Sequence, residues 1–337
     1  MNASSSATVA APPPPPAPPA TQRQGRALRL GLTLLREYGI VVSFAAIFVV
    51  LSVTSDNFLT QTNLENILAQ QSPTLIAAAA GTLVIIAGGF DLSVAAVVAL
   101  TGVVAAKVAG ASDPWLGIVA AVAAGAAIGV INGLITTYGR VNALIGTLAS
   151  SYIIRGLAVV ITGGLLVTVD DASFTALGQN EVIGIPIAIL VMIAFVGALG
   201  FLLSMTTYGR RIFAVGGNPE AARLAGIRVE LIRISTFALS GLAAGLAGAI
   251  LASRVATGQA DAATGLEFTV IAGIVVGGTS IAGGEGAIWR TVVGVLLIAL
   301  INNGFTLLGL DPTYQQIVQG AIILTAVALD GWYRVRR

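Results

Sequence analysis

The chain has no cysteine and no histidine, and of its 17 basic residues only Lys107 is a lysine. Without cysteine there is no disulfide framework, thiolate metal site or cysteine nucleophile. Without histidine the commonest general base and nitrogen metal ligand at neutral pH are missing. A phosphate-cradling P-loop requires a lysine after its glycines. Lys107 instead follows Val104-Ala105-Ala106, and Gly278-Thr279-Ser280-Ile281-Ala282-Gly283 is followed by Gly284. Hydrolysis of ATP by that route is excluded for this chain, so any ATP site belongs to another polypeptide. No nucleophile–base pair or metal cluster suggests a membrane enzyme. Charge is scarce as well. Only 9% of the 337 residues are charged, against about one quarter in soluble domains. With 56% hydrophobic residues and a mean hydropathy of +0.93, a soluble fold would expose large apolar patches. The composition specifies an all-α polytopic membrane protein.

What the chain does contain is ordered along its length. Residues 1–25 are rich in Ala and Pro, with Pro12 to Pro16, Pro18 and Pro19, and read as a polyproline-leaning disordered tail. No basic segment precedes an apolar core there, so a signal peptide is not expected. Residues 1–36 are taken as tail plus basic juxtamembrane segment, 37–331 as the membrane domain, and 332–337 as a basic C-terminus. Ten apolar stretches follow the tail: Tyr38–Thr54, Thr74–Gly89, Leu92–Gly110, Trp115–Thr136, Ala143–Thr162, Ile183–Met205, Ile234–Ser253, Leu266–Ile281, Ala287–Leu308 and Tyr314–Leu329. A spanning helix needs roughly 17–25 residues, so several are short. With the N-terminus in the cytoplasm, ten crossings place 14 of the 17 basic residues inside, leaving only Lys107, Arg155 and Arg254. The presumed outer loops carry acids such as Asp56, Asp170, Asp171 and Glu181. If Leu266–Ile281 did not cross, the basic C-terminus would lie outside, so the positive-inside rule favours ten helices, some short or broken, with both termini cytoplasmic.

Several segments carry chemistry. The longest cytoplasmic loop, 206–233, contains Gly216, Gly217, Asn218, Pro219, Glu220, Ala221, Ala222 and Gly226. Asn218 suits an N-cap, Pro219 the first helical position, Glu220 the positive end of the helix dipole and Gly226 a C′ stop. A short capped helix flanked by arginines fits either a docking element for a soluble partner or a solvated loop. Gly88, Gly89, Asp91 and Ser93 interrupt two apolar runs, where Asp91 caps the next helix or forms part of a gate. Gly277, Gly278, Thr279 and Ser280, with Gly283-Gly284-Glu285-Gly286, make a second glycine-rich break, and such breaks are tolerated at depth only where backbone is buried or lines a cavity. Asn132, Asn142, Thr147, Arg155, Asn302 and Asn303 are polar positions read inside spans, suited either to hydroxyl-rich cargo or to interhelical hydrogen bonds. Small residues across Gly241–Gly248 read as a packing seam. Thr136–Arg140 and Thr206–Arg210 are identical pentapeptides, each read as the end of an inward-going helix with an interfacial Tyr, a Gly C-cap and a stop-transfer Arg.

Taken in order, these segments resemble the permease subunit of ribose-type ABC sugar importers. The resemblance rests on Gly88–Ser93, Asn132-Gly133-Leu134, Gly146-Thr147-Leu148, Tyr208-Gly209-Arg210, Ala214–Ile227, Ser240–Gly248, Ile271–Gly286, Asn303-Gly304 and Ala326–Asp330. It covers about residues 38–331. It implies a multi-pass protein of the bacterial cytoplasmic (inner) membrane that translocates a monosaccharide by alternating access. It further implies a second permease chain, commonly identical, and an extracytoplasmic sugar-binding protein. ATP and Mg would be held by a partner ATPase subunit, with no cofactor on this chain and no nucleic-acid partner. Gly216–Ile227 matches the ATPase-coupling segment. Glu220-Ala221-Ala222 with Gly226 also resembles the wider importer coupling motif, whose isoleucine would fall at position 236, here Thr236. An ion-coupled secondary transporter of a small polar solute is the alternative reading.

Overall fold

The computed structural model describes residues 39–311 and 313–335. The Ala/Pro-rich tail and the last two residues of the basic C-terminus lie outside them. All ten apolar stretches carry helices. They are α1 (Gly39–Thr54), α2 (Gln61–Ile86), α3 (Val94–Ala111), α4 (Pro114–Thr137) and α5 (Ala143–Thr162). After a one-turn α6 (Ala176–Gln179) come α7 (Ile187–Met205), α8 (Thr207–Gly217) and α9 (Pro219–Leu224). The chain continues through α10 (Val229–Val255), α11 (Leu266–Val276), α12 (Ile288–Leu307) and α13 (Thr313–Val335). Among the described residues, seven of these (α2, α3, α4, α5, α7, α10 and α12) are long and apolar enough to cross a membrane. At 1.5 Å per residue, α11 reaches only about 16 Å, well short of a hydrocarbon core of about 30 Å.

The boundaries correct the sequence reading in three places. Helix α2 begins at Gln61, thirteen residues before the apolar run at Thr74, and carries Pro73 inside it. Its N-cap is Thr60, whose hydroxyl accepts from the Asn63 N–H. Residues 183–186 do not open α7. Glu181–Val182 pairs antiparallel with Ile185–Pro186 as a two-residue hairpin. Its corner residues Ile183 and Gly184 have φ of 55° and 74°, the positive angles that a type I′ turn demands. The two identical pentapeptides also fold differently. In the first, Thr136 and Thr137 close α4 and Tyr138 is the exposed C-cap residue. In the second, Thr206 is an N-cap and Gly209 sits inside α8, with Tyr208 hydrogen-bonded to Ser235 of α10. The second copy therefore follows directly on the end of α7 and starts the next helix, so its Gly209 is not a C-cap.

The core is built on α2, α3 and α10, which are the most buried long helices, while α4, α5 and α7 turn apolar side chains outward. Helices α4 and α10 meet backbone to backbone. Gly125, Gly129 and Gly133, four residues apart on one face of α4, pack on α10, while Gly117 packs on Ala105 and Ala109 of α3. A Cβ on Gly125 would stand 2.3 Å from the Gly241 carbonyl oxygen of α10, and one on Gly241 2.2 Å from that of Gly125. The small-residue seam read from Gly241–Gly248 is this contact, and only glycine permits such approach.

The inter-helix turns sort to two ends. At one end the α2–α3 turn, the end of α8 and residues 283–284 touch one another, with Arg233 of α10 beside them. At the other, Val167–Thr168 pairs antiparallel with Thr257–Gly258. Gly178 packs against the backbone of Arg254 and donates its N–H to the Ser253 hydroxyl at 2.8 Å.

Candidate functional site

The loop between α7 and α10 forms two helices joined at Asn218. In α9, the Asn218 side chain accepts the Ala221 N–H at 3.0 Å and Pro219 is the first helical residue. The C-terminus closes as a Schellman turn: the Gly226 N–H bonds the Arg223 carbonyl and the Ile227 N–H that of Ala222, both at 3.0 Å. Gly226 has φ +80°. Every capping feature expected of Asn218, Pro219 and Gly226 is therefore present. Glu220 pairs with Arg223 at 2.8 Å, and Arg223 also reaches Glu230 at 2.7 Å. Those carboxylates, Glu230 foremost, hold the Arg223 guanidinium above its usual range. The preceding helix α8 is absent from the sequence reading, although Thr206 three residues before Gly209 is a legible N-cap.

Helix α9 is not an isolated loop, because the end of α8 is wedged into both glycine-rich breaks. A Cβ on Gly216 would fall 1.6 Å from the Ile86 carbonyl oxygen and 2.6 Å from the Gly284 nitrogen. The Gly284 N–H donates to that same Ile86 carbonyl at 2.9 Å. A Cβ on Gly283 would be 3.1 Å from the Gly88 Cα, and one on Gly284 2.8 Å from the Gly217 Cα. Five glycines from three separate segments thus form a side-chain-free junction. The two breaks share one geometry. Gly88 ends α2 and Gly278 ends α11, each at φ +81°. Gly88 and Gly89 donate to the Ile85 and Val84 carbonyls, and Gly278 and Thr279 to those of Val275 and Ile274. Gly277 is the C-cap residue of α11 and approaches the Arg290 carbonyl of α12. Thr279 is buried with its hydroxyl lacking a hydrogen-bond partner. The Ser280 N–H bonds the Glu285 carbonyl at 2.9 Å, closing the loop.

Immediately beyond the first break lies a directed polar chain through four helices. The Ser150 hydroxyl of α5 donates to Asn132 Oδ1 of α4 at 2.7 Å, and Asn132 Nδ2 donates to the Ser93 hydroxyl at 2.8 Å. Ser93 Oγ donates to Asp91 Oδ1 at 2.5 Å, and Ser240 of α10 donates to Asp91 Oδ2 at 2.7 Å. Asp91 therefore does not cap α3. Ser93 occupies the N-cap position, and the carboxylate accepts its N–H at 3.0 Å while reaching across to α10. Thr147 of α5 accepts the Leu92 N–H at 3.0 Å, tying the same turn to a second point on α5. Hydrogen bonds to a carboxylate contribute about 1.5–3 kcal/mol each, so this network fixes the α2–α3 turn. Nothing in the sequence marks Ser150 and Ser240 as members of it, since serines in an apolar run carry no periodic signal.

The remaining predicted pathway positions lie elsewhere. Asn142 is not inside a span: it is the exposed N-cap of α5, accepting the Leu144 N–H at 3.0 Å. Asn303 exchanges amide hydrogen bonds with Asn63 of α2 at 2.8 and 3.3 Å, an interhelical tie. The Asn302 carbonyl accepts the Thr306 hydroxyl one turn on. Arg155 extends from α5 to the Thr264 hydroxyl at 2.7 Å, in the loop before α11. Gly88, Gly89, Asp91, Ser93, Asn132 and Thr147 therefore form one site. Gly216, Gly217 and the second glycine break adjoin it, while Asn142, Arg155, Asn302 and Asn303 do not belong to it.

A family model described as "Branched-chain amino acid transport system / permease component" matches residues 63–327. The chain is 41% identical over 301 residues to the ribose import permease protein RbsC of Escherichia coli (strain K12), covering 88% of this chain and 94% of that protein. It is 40% identical over 295 residues to the L-arabinose transport system permease protein AraH of the same strain, covering 87% and 90%. It is also 40% identical over 300 residues to RbsC of Bacillus subtilis (strain 168), covering 88% and 93%. No solved structure matches. The junction, the polar chain and the capped helix all lie inside the matched residues, and the chain belongs to the family of transport-system permease components that includes these ribose and arabinose permeases.

Proposed function

We propose that this chain is the membrane-spanning subunit of an ATP-driven importer that carries a monosaccharide, a pentose or similar polyol, across the bacterial cytoplasmic membrane. The sugar assignment draws on relatives named for ribose and L-arabinose at about 40% identity. Ten crossings with both termini inside remain the reading that best fits the arginine distribution, and the grouping of Gly88, Gly216, Arg233 and Gly283 at one end supports it. In this reading residues 37–331 form the permease domain, and the two chain ends lie in the cytoplasm. ATP and Mg are held by a separate ATPase subunit, an external binding protein delivers the sugar, and a second copy of this chain completes the pathway.

One observation carries the mechanism. The capped helix α9 follows directly on Gly216-Gly217, which rest by backbone contact on both glycine breaks. A displacement of α9 by an ATPase would therefore reach the α2–α3 turn and the α11–α12 loop without passing through flexible side chains. The α2–α3 turn is in turn held by Asp91, Asn132 and Ser240, so the same displacement would act on the polar chain. Reconstitution with the cognate ATPase and binding protein tests the proposal, with uptake of labelled ribose, arabinose and leucine compared. Pentose uptake that requires ATP and the binding protein is expected. Leucine uptake in place of pentose would favour the branched-chain amino acid reading that the family description raises. Uptake driven by an ion gradient without the ATPase would overturn the importer assignment.

A further inference from the structure

A separate cavity opens at the same end of the molecule and belongs neither to the glycine junction nor to the polar chain. Its volume is about 450 Å³, and it lies between the end of α4, the turn at Arg140, α9 and the first turns of α10. Among its lining residues are Thr137, Tyr138, Arg140, Arg223, Glu230 and Arg233. The charges there are unbalanced. Arg223 is neutralised by Glu220 and Glu230. The guanidinium groups of Arg140 and Arg233 make no hydrogen bond or ion pair among the described residues, and Glu230, already paired with Arg223, is shared electrostatically with Arg233. Two of its lining residues, Thr137 and Arg233, each carry a buried polar atom without a hydrogen-bond partner among the described residues, Oγ1 and Nε respectively. Buried donors left unpaired are costly. Arg140 also holds φ at +54°, a conformation unfavourable for any residue bearing a side chain.

Unpaired cationic donors beside a hydroxyl are chemistry for an oxyanion with several acceptor oxygens, namely a phosphate. The surroundings indicate how it arrives. Tyr138, 62% exposed, stands at the mouth as an interfacial aromatic. The adjoining surfaces of α4 and α5 expose Ile131, Leu134, Ile135, Leu144 and Ile145. A basic pocket opening beside a lipid-facing apolar surface fits a phospholipid, headgroup in the pocket and acyl chains along α4. We propose that this cavity binds the phosphate of an anionic lipid headgroup through Arg140, Arg233 and Thr137. Arg233 Nη2 lies 3.9 Å from where a Cβ on Gly88 would stand, so the occupied site would abut the α2–α3 turn. The proposal rests on the membrane-spanning reading, but its test is a binding measurement that needs neither ATPase nor sugar.

The experiment uses the full chain purified in a neutral detergent, with native mass spectrometry to count bound dioleoyl phosphatidylglycerol against dioleoyl phosphatidylcholine. Preferential retention of phosphatidylglycerol is expected, falling about tenfold in Arg233→Gln, as for loss of a charge-assisted hydrogen bond. Arg140→Gly should also weaken retention, yet leave thermal stability intact because glycine accepts the positive φ. That variant keeps the test valid if Arg233→Gln fails to fold. Arg228→Gln alters an exposed arginine of the same loop outside the cavity and should change nothing. Equal binding of the two lipids, or an equal loss in Arg228→Gln, would overturn the site in favour of general surface attraction. Protection of Arg140 and Arg233 by inorganic phosphate alone, with no preference between the lipids, would overturn the lipid source.

Discussion

Gly216 of α8 rests on the carbonyl of Ile86 at the end of α2, so closely that a Cβ would lie 1.6 Å from that oxygen. Its neighbour Gly217 has nothing within 4 Å of the same position. Gly216→Ala should therefore force the α8 end away from both breaks, destabilising the chain by about 1–3 kcal/mol as overpacking does. It should also weaken ATPase co-purification, while Gly217→Ala should be close to neutral. Thermal unfolding and pull-down of the two variants side by side check this, and equal behaviour would remove the junction from the coupling route.

Helix α9 offers a second comparison. A Cβ on Gly226 would meet no atoms within 4 Å, but the residue holds φ +80°. Gly226→Ala should cost about 1–2 kcal/mol from backbone strain alone, loosening the Schellman turn without a clash. Glu220→Lys replaces the acid in the first turn by a cation at the positive end of the helix dipole and removes one partner of Arg223. Both variants should insert and express, yet lose sugar uptake and partner co-purification. Full uptake in both would sink the docking role of this loop.

Asp91 sits at the crossing of donors from α3 and α10. Asp91→Ala strips partners from Ser93 and Ser240 together and should destabilise by more than Ser240→Ala, which removes a single hydrogen bond worth about 1.5–3 kcal/mol. The double variant should cost little beyond Asp91→Ala, because the Ser240 contact is already gone. A thermal-melt cycle on purified protein measures this, and full additivity would show that the two side chains do not meet.

Much of this is visible in the sequence, for physical reasons. Each of the ten apolar stretches carries a helix, since a long apolar run in lipid can satisfy its backbone only within itself. The Asn218-Pro219…Gly226 pattern is local chemistry, so α9 is readable residue by residue. What stays hidden depends on distant partners. Asn303 reads equally as a cargo-facing amide or an interhelical tie, and its hydrogen-bond exchange with Asn63, 240 positions away, is visible only in the fold. The N-terminal half of α2 is too polar for hydropathy to extend the helix back to Gln61. The twin pentapeptides at 136–140 and 206–210 show the limit most plainly: the same five residues end one helix and begin another, because the chain that follows decides.

The Asn63–Asn303 pair permits a direct measurement. A double-mutant cycle with Asn63→Ala and Asn303→Ala should give a coupling of about 0.6 kcal/mol, the average for polar contacts between membrane helices. A coupling of zero would mean that each amide finds another partner when the first is removed.

On the opposite end of the molecule, Asp171 accepts both the N–H and the hydroxyl of Ser173, at 2.8 and 2.6 Å, and these bonds lower its pKa below the ordinary carboxylate value. The turn is therefore favoured throughout the range above the ordinary Asp value and lost only as pH falls through the lowered one. Ser173→Ala should move the Asp171 titration upward, toward the ordinary value. NMR of the side-chain carboxyl reads the shift, and an unmoved titration would dissociate the serine from the effect.

At Gly125, Gly129, Gly241 and Gly245 no side chain stands between the backbones of α4 and α10, so nothing at those contacts can rotate to absorb a change of angle. Two helices in such contact move as one beam or come apart altogether. If the transporter opens alternately to either side, this pair is its keel: glycine laid along a helix face welds two helices into one.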